Sequence, residues 1–177
     1  MNMYALRSAL LTAALLLGGA HAATADNARI GKDWAKSGFG SSVKYKCKQQ
    51  SCGGPKNVMM VQSLGSISGA PDLGIPQGSN LEAEFRRRPE VRRTLSAMLQ
   101  QLVREPRNKG KSLKTSYFEN VDHAGFNFTL FDPDEGVHMV VQLRIQNNKA
   151  ILVGGASDTL DAARRNFNLI VPTLRKT

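Results

Sequence analysis

Acidic residues are scarce in this chain: 14 Asp and Glu stand against 24 Lys and Arg, a formal net charge of +10 over 177 residues. Two cysteines are too few for a disulfide-rich scaffold. Aromatic residues amount to 6%, and no ring lies between Arg86 and Lys114, the most basic stretch. Binders of single-stranded nucleic acid interleave rings with their cations, so this composition argues against nucleic acid as a partner. Long apolar runs are also missing. A membrane-spanning helix takes about 20 apolar residues, and the one candidate is shorter and N-terminal, so no membrane span is expected. What remains is ordinary: 41% hydrophobic and 21% charged residues exclude collagen-like and long disordered chains, and the length suits one domain.

The N-terminus carries the clearest signal. A single basic residue, Arg7, precedes the apolar run from Ala9 to Leu17, and small residues follow in Ala20-His21-Ala22 and Ala23-Thr24-Ala25. This three-part layout is that of a secretory signal peptide over 1–25, cleaved to leave a mature chain beginning at Ala23 or Asp26. A buried N-terminal helix is the alternative. No cysteine stands at either cleavage point, so no lipid attachment is expected there. A short Ala- and Leu-rich leader suits bacterial export, with the periplasm as destination, and residues 26–177 retain enough chain for one core.

Along 26–177, residues 26–42 are polar and Gly-rich and read as an irregular arm pinned by Trp34 and Phe39. Val43 to Cys47 alternates as a strand does, and Val58 to Val61 can pair with it through the cysteine turn. Residues 65–79 are rich in Gly, Ser and Pro and read as a long loop. Leu81 to Arg87 suggests a short helix. From Pro89 the residues Val91, Leu95, Met98, Leu99 and Leu102 recur at helical spacing until Pro106. Leu113 to Val121 reads as a weak strand and Phe126 to Leu130 as a stronger one. Asp132-Pro133-Asp134-Glu135-Gly136 then forms a turn. Val137, Met139, Val141, Leu143 and Ile145 share one face of a long strand that leaves His138, Val140, Gln142, Arg144 and Gln146 on the other. Asn147-Asn148 turns the chain into Ala150 to Val153. Ser157 or Asp158 caps a last helix whose stripe is Leu160, Ala163, Phe167 and Ile170, stopped by Pro172. Antiparallel strands with helices packed against them give an α+β fold.

From Gly125 to Lys176 this layout resembles the C-terminal part of PsbP-like domains: a long alternating strand, a hairpin into Ala150 to Ala156, and a helix ending Phe167 to Arg175. The resemblance covers roughly a third of 26–177. It implies an α/β/α sandwich and a small, usually non-enzymatic domain that associates with larger assemblies. It carries over no functional residue, and neither the cysteine loop nor the Gly/Pro loop belongs to its pattern.

Chemistry is thinly represented. Cys47 and Cys52, in an exported chain, most simply close a small disulfide loop. A redox pair or a copper-type site with His123, His138, Met59, Met60, Met98 or Met139 as further donors is the alternative, although no ligand spacing is recognisable. Redox dithiols of the thioredoxin type have two intervening residues, not four. Gly65-Ser66-Ile67-Ser68-Gly69 matches the nucleophile-elbow string, but Ala70-Pro71-Asp72 cannot continue it as the required helix. His123 and His138, on neighbouring strands, could converge on an acid/base or metal site; isolated surface histidines are commoner. Asp132, Asp134 and Glu135 lack the ligand series of a calcium loop. Neither a cofactor nor a catalytic residue is assigned, and a non-enzymatic protein is expected.

The basic excess is clustered. Arg86, Arg87, Arg88, Arg92 and Arg93 flank the start of the long helix, and Arg104, Arg107, Lys109, Lys111 and Lys114 follow its end. Lys44, Lys46, Lys48 and Lys56 surround the cysteine loop, and Arg164, Arg165, Arg175 and Lys176 lie near the C-terminus. Such patches attract acidic partners and polyanions. The binding candidates are Arg86, Arg87, Arg88, Arg92, Arg93, Arg104, Arg107, Lys109 and Lys111. The expected partner is an acidic protein or an anionic envelope component: lipid headgroups, lipopolysaccharide or a cell-wall polymer.

Overall fold

The computed structural model describes residues 30–66, 68–104, 110–146 and 148–174. Its centre is a seven-stranded antiparallel sheet in the order β1-β2-β3-β9-β8-β7-β6. The first three strands form one meander: β1 (Trp34–Phe39), β2 (Ser42–Cys47) and β3 (Val58–Ser66). A second meander contains β6 (Ser112–Glu119), β7 (Ala124–Asp132), β8 (Val137–Gln146) and β9 (Lys149–Ser157). The two join where β9 pairs with β3, Val153 opposite Val61, with an irregularity between Ser63 and Gly65. Between the meanders the chain makes a small ribbon, β4 (Ser68–Ala70) with β5 (Ile75–Asn80), and two helices, α1 (Leu81–Arg87) and α2 (Pro89–Arg104). Helix α3 (Leu160–Ile170) follows β9.

Two expected loops are ordered elements. The arm expected over 26–42 contains β1, whose six residues pair with β2 from Trp34 opposite Cys47 to Phe39 opposite Ser42, around a two-residue turn at Gly40 and Ser41. Backbone pairing with a neighbouring strand outweighs the poor local strand propensity of this polar stretch. The loop expected over 65–79 holds the end of β3, the β4–β5 ribbon and a 3₁₀ turn at Pro71–Leu73. One of its two prolines opens the 3₁₀ turn and the other, Pro76, lies on the short ribbon. Ile75 anchors the ribbon because it is fully buried.

Helix positions follow the expected periodicity. Asn80 accepts a hydrogen bond from the Ala83 N–H and caps α1, which turns Leu81 and Phe85 inward at a spacing of four. Pro89 opens α2, and Val91 and Leu95 are buried. The cap of α3 is Thr159 and not Ser157 or Asp158, because Ser157 is the last, buried residue of β9. The Thr159 hydroxyl accepts from the Ala162 N–H.

The layers are α/β/α. On one side, α1 and the ribbon cover a core row that crosses four strands: Tyr117, Phe126, Leu143 and Leu152 stand opposite one another in turn, and Phe85 packs on Phe126 edge-on at 5.6 Å. On the other side, α3 packs on β9, β8 and β3, where Ile170 joins Val43, Tyr45, Met59, Val61 and Val153 in a second core. The long strand β8 therefore differs from a strand with one wet face. Its second face carries Val140 and Gln142 half-buried, because α3 lies against β8 as well as β9. Asn166 of α3 is buried and donates to Ala156 O (3.0 Å) and to Asn57 Oδ1 (2.9 Å). Asn57 in turn donates to Gly53 O, so this amide chain ties the helix to the cysteine turn. No helix among the described residues is long and apolar enough to cross a membrane.

Candidate functional site

Cys47 and Cys52 are joined as a disulfide with their Cα atoms 5.7 Å apart. Cys47 ends β2 and is buried; a 3₁₀ turn at Gln50–Cys52 closes the loop, with Gln49 O accepting from the Cys52 and Gly54 N–H groups. An oxidised pair supplies neither a thiolate for a metal nor a reducing dithiol, and among the described residues no three His, Cys, Asp or Glu groups could hold a metal. The copper-type arrangement thus loses both of its cysteine donors. A disulfide is compatible with an oxidising compartment. Closing so short a loop restricts the unfolded chain, and replacing both cysteines with serine is expected to lower the unfolding free energy by about 2 kcal/mol in urea titrations. An unchanged midpoint would contradict a structural role for the bond.

The arginine run is locally matched by carboxylates. Arg86 pairs with Glu82 at 2.8 Å and Arg87 with Glu84; Arg88 reaches Glu84 at 3.2 Å and Glu90 at 2.8 Å. The Glu82 hydrogen bond raises the Arg86 pKa, and those of Glu90 and Glu84 raise that of Arg88. Arg92 lies 4.3 Å from the Tyr117 ring centroid and 3.7 Å from Glu119. Arg93 is exposed. Lys111 is held by Asp132 at 2.8 Å. Burial pushes the Asp132 carboxyl up, but the Lys111 hydrogen bond and charge, with backbone N–H groups of Asp134 and Glu135, outweigh it and hold the pKa below its ordinary value. The acidic turn is therefore occupied with a lysine. Arg107 and Lys109 lie outside the described residues, as does the Arg104 side chain at the end of α2.

The lysines near the disulfide differ. Lys32, Lys36, Lys44, Lys46, Lys48 and Lys56 are all exposed, and none has an ion pair among the described residues. Asp33 is the one acid within 30–58, and it accepts a hydrogen bond from the Ser51 hydroxyl. Lys44 and Lys46 project from the same face of β2, opposite to the face that buries Val43, Tyr45 and Cys47. Beside them on β3 stand Met60, opposite Lys44, and Val58, opposite Lys46, both half-buried.

The two histidines do not converge. His138 stacks on Phe131, opposite it in the β7–β8 pair, with centroids 4.5 Å apart. His123 precedes β7, eight positions before Phe131, which places it roughly 26 Å away along the strand. It packs edge-on against Phe118 at 5.6 Å. The Gly65 to Gly69 string crosses from the end of β3 into β4, and a 3₁₀ turn follows it in place of the helix a nucleophile elbow requires.

One charged group escaped the reading of the sequence. Arg144 on β8 is half-buried and has no carboxylate partner among the described residues; burial pushes its pKa down. Its Nε donates to Gln142 Oε1, and Gln142 Nε2 donates to Asn127 Oδ1 at 2.8 Å. Burial first, and the Arg144 charge second, hold His123 below the ordinary histidine value. The available signal was the alternation that assigned Arg144 to the less apolar face of β8; its lack of a partner could not be read from spacing. No protein-family model matches the chain, and no curated protein matches it.

Proposed function

We propose that this is an exported, periplasmic, non-enzymatic binding protein that docks onto the anionic surface of the cell envelope through the lysines of β2 and the disulfide turn. The observation that carries this reading is that Lys44, Lys46 and their neighbours have no ion pair among the described residues, beside an arginine run whose charge is already matched. Lysines on a sheet face act as point charges free to meet a diffuse array of phosphates, and each contributes about 1 kcal/mol near an anionic membrane. The leader-like N-terminus and the disulfide support an oxidising destination outside the cytoplasm. Helices on both faces of an antiparallel sheet support the PsbP-like resemblance.

The expected result is sedimentation with phosphatidylglycerol vesicles at low salt and release near 1 M salt, where the Debye length falls to about 3 Å. Reversing Lys44→Glu and Lys46→Glu together is expected to weaken binding at least about tenfold, whereas Arg87→Gln changes it little. Equal binding to phosphatidylcholine vesicles, or binding indifferent to the double reversal, would overturn the reading. Capture by an acidic polypeptide with no vesicle binding would move the partner from envelope surface to protein.

A further inference from the structure

The α3 side of the sheet has a second, unrelated feature. Helix α3 covers β9, β8 and β3, while α1 and α2 pack on the opposite face, so no described helix covers this side of β6 and β7. Register places Phe118, Gly125 and Arg144 in one row across β6, β7 and β8, and Ser116, Asn127 and Gln142 in the next. A side chain at Gly125 would run into the Leu143 carbonyl of the adjacent strand, so only glycine fits between Phe118 and Arg144 in this row.

Hydrogen-bond direction determines what this face can accept. A guanidinium only donates, so Gln142 must present its oxygen to Arg144, which leaves its amide N–H₂ to donate to Asn127 Oδ1. Among the described residues no acceptor meets the Asn127 N–H₂, which remains a donor. Arg144 Nη groups, the Asn127 amide and the exposed Ser116 hydroxyl are donors, and no carboxylate among the described residues contributes to the electrostatics of Arg144. His123, held below its ordinary pKa, is mostly neutral at pH 7 and adds no second full charge. An unmatched, partly desolvated cation surrounded by neutral donors is costly until an anion arrives.

We propose that this face of β6, β7 and β8 is a carboxylate-binding subsite in which Arg144 forms the bidentate contact and Asn127 and Ser116 supply further donors. One full positive charge matches a monoanion better than a phosphate dianion. The planar fork of arginine fits the two oxygens of a carboxylate. The subsite lies on the opposite face from Lys44 and Lys46 and does not depend on envelope docking.

Titration of the ¹⁵N-labelled protein with sodium acetate, a blocked Gly-Asp-Gly peptide and inorganic phosphate, at constant ionic strength, tests the assignment. Saturable shifts of the Arg144 Nε–Hε and Gly125 amide signals are expected with acetate and peptide. Tighter binding of the peptide would identify a protein side chain as the natural source; equal binding would identify a free carboxylic acid. Arg144→Gln is expected to lower affinity about tenfold or more, and Arg144→Lys to recover part of it. Asn127→Asp supplies an internal carboxylate and is expected to abolish binding while retaining the native spectrum, which separates loss of the site from loss of the fold. Linear, unsaturated shifts with every anion, preference for phosphate, or undiminished acetate binding by Asn127→Asp and Arg144→Gln would each overturn the proposal.

Discussion

Replacing Phe126 with alanine is expected to remove about 3–5 kcal/mol of stability, a large part of the roughly 5–15 kcal/mol that holds a domain of this size. Phe126 is fully buried and meets Phe85 and Tyr117 edge-on, each at 5.6 Å, and Phe128 stacked at 6.4 Å. It sits between α1 and the sheet, so its ring is the common contact of two layers. Truncation leaves a cavity bounded on one side by a sheet that cannot collapse inward without breaking its hydrogen bonds. The loss also reaches the surface, because Tyr117 carries Arg92 on its other face. Urea unfolding should show a lower midpoint with little change in slope. Val121→Ser, at a side chain 96% exposed on the β6–β7 turn, serves as the control and should stay within about 0.5 kcal/mol. A Phe126→Ala loss below about 1 kcal/mol would mean that the two layers are held together elsewhere.

Gly155→Val is expected to cost about 3 kcal/mol and to act by lifting α3. A Cβ at Gly155 would lie within 3 Å of Phe167 N, Ala163 O and Asn166 C, all backbone atoms of the helix. A backbone cannot step aside as a flexible side chain does. The helix must lift, which opens the second core at Ile170 and Val153 and parts Asn166 from Asn57. The buried Asn57 Oδ1 would then lose its donor, Asn166 Nδ2. Hydrogen exchange should therefore quicken across Leu160–Ile170 and at the cysteine turn, while amides of β6, β7 and β8 keep their protection. Uniform loss of protection across the sheet would show that the two cores do not melt separately. An unchanged α3 would show that the close approach is not required.

Much of the fold was legible because it rests on local periodicity. The alternation in Val137 to Gln146, the four-residue spacing of Val91 and Leu95, and the turn residues between elements each report their own surroundings. Elements whose order comes from a partner were not legible. Trp34–Phe39 is polar and Gly-rich and becomes a strand only because β2 offers it a row of backbone donors and acceptors. The ribbon in 65–79 is ordered by burying Ile75 beneath α1. The site divides in the same way. Glu82 lies four residues before Arg86, and Glu84 three and four before Arg87 and Arg88, so most of the neutralisation of the arginine run was already written at helical spacing. Glu119 beside Arg92 was not, since the two meet only across the α2–β6 contact.

The sequence by itself determined the α+β class, the placement of helices and long strands, the basic excess and the proximity of Cys47 to Cys52. Each depends on composition or on neighbours within a few positions. Only the tertiary structure decided which cations have partners: it paired Lys111 with Asp132 and, among the described residues, left Lys44 and Lys46 without an ion pair and set Arg144 on a sheet face without an acid. Charge pairing is a matter of a few ångströms between atoms far apart in the chain, and such distances exist only once the strands are in register.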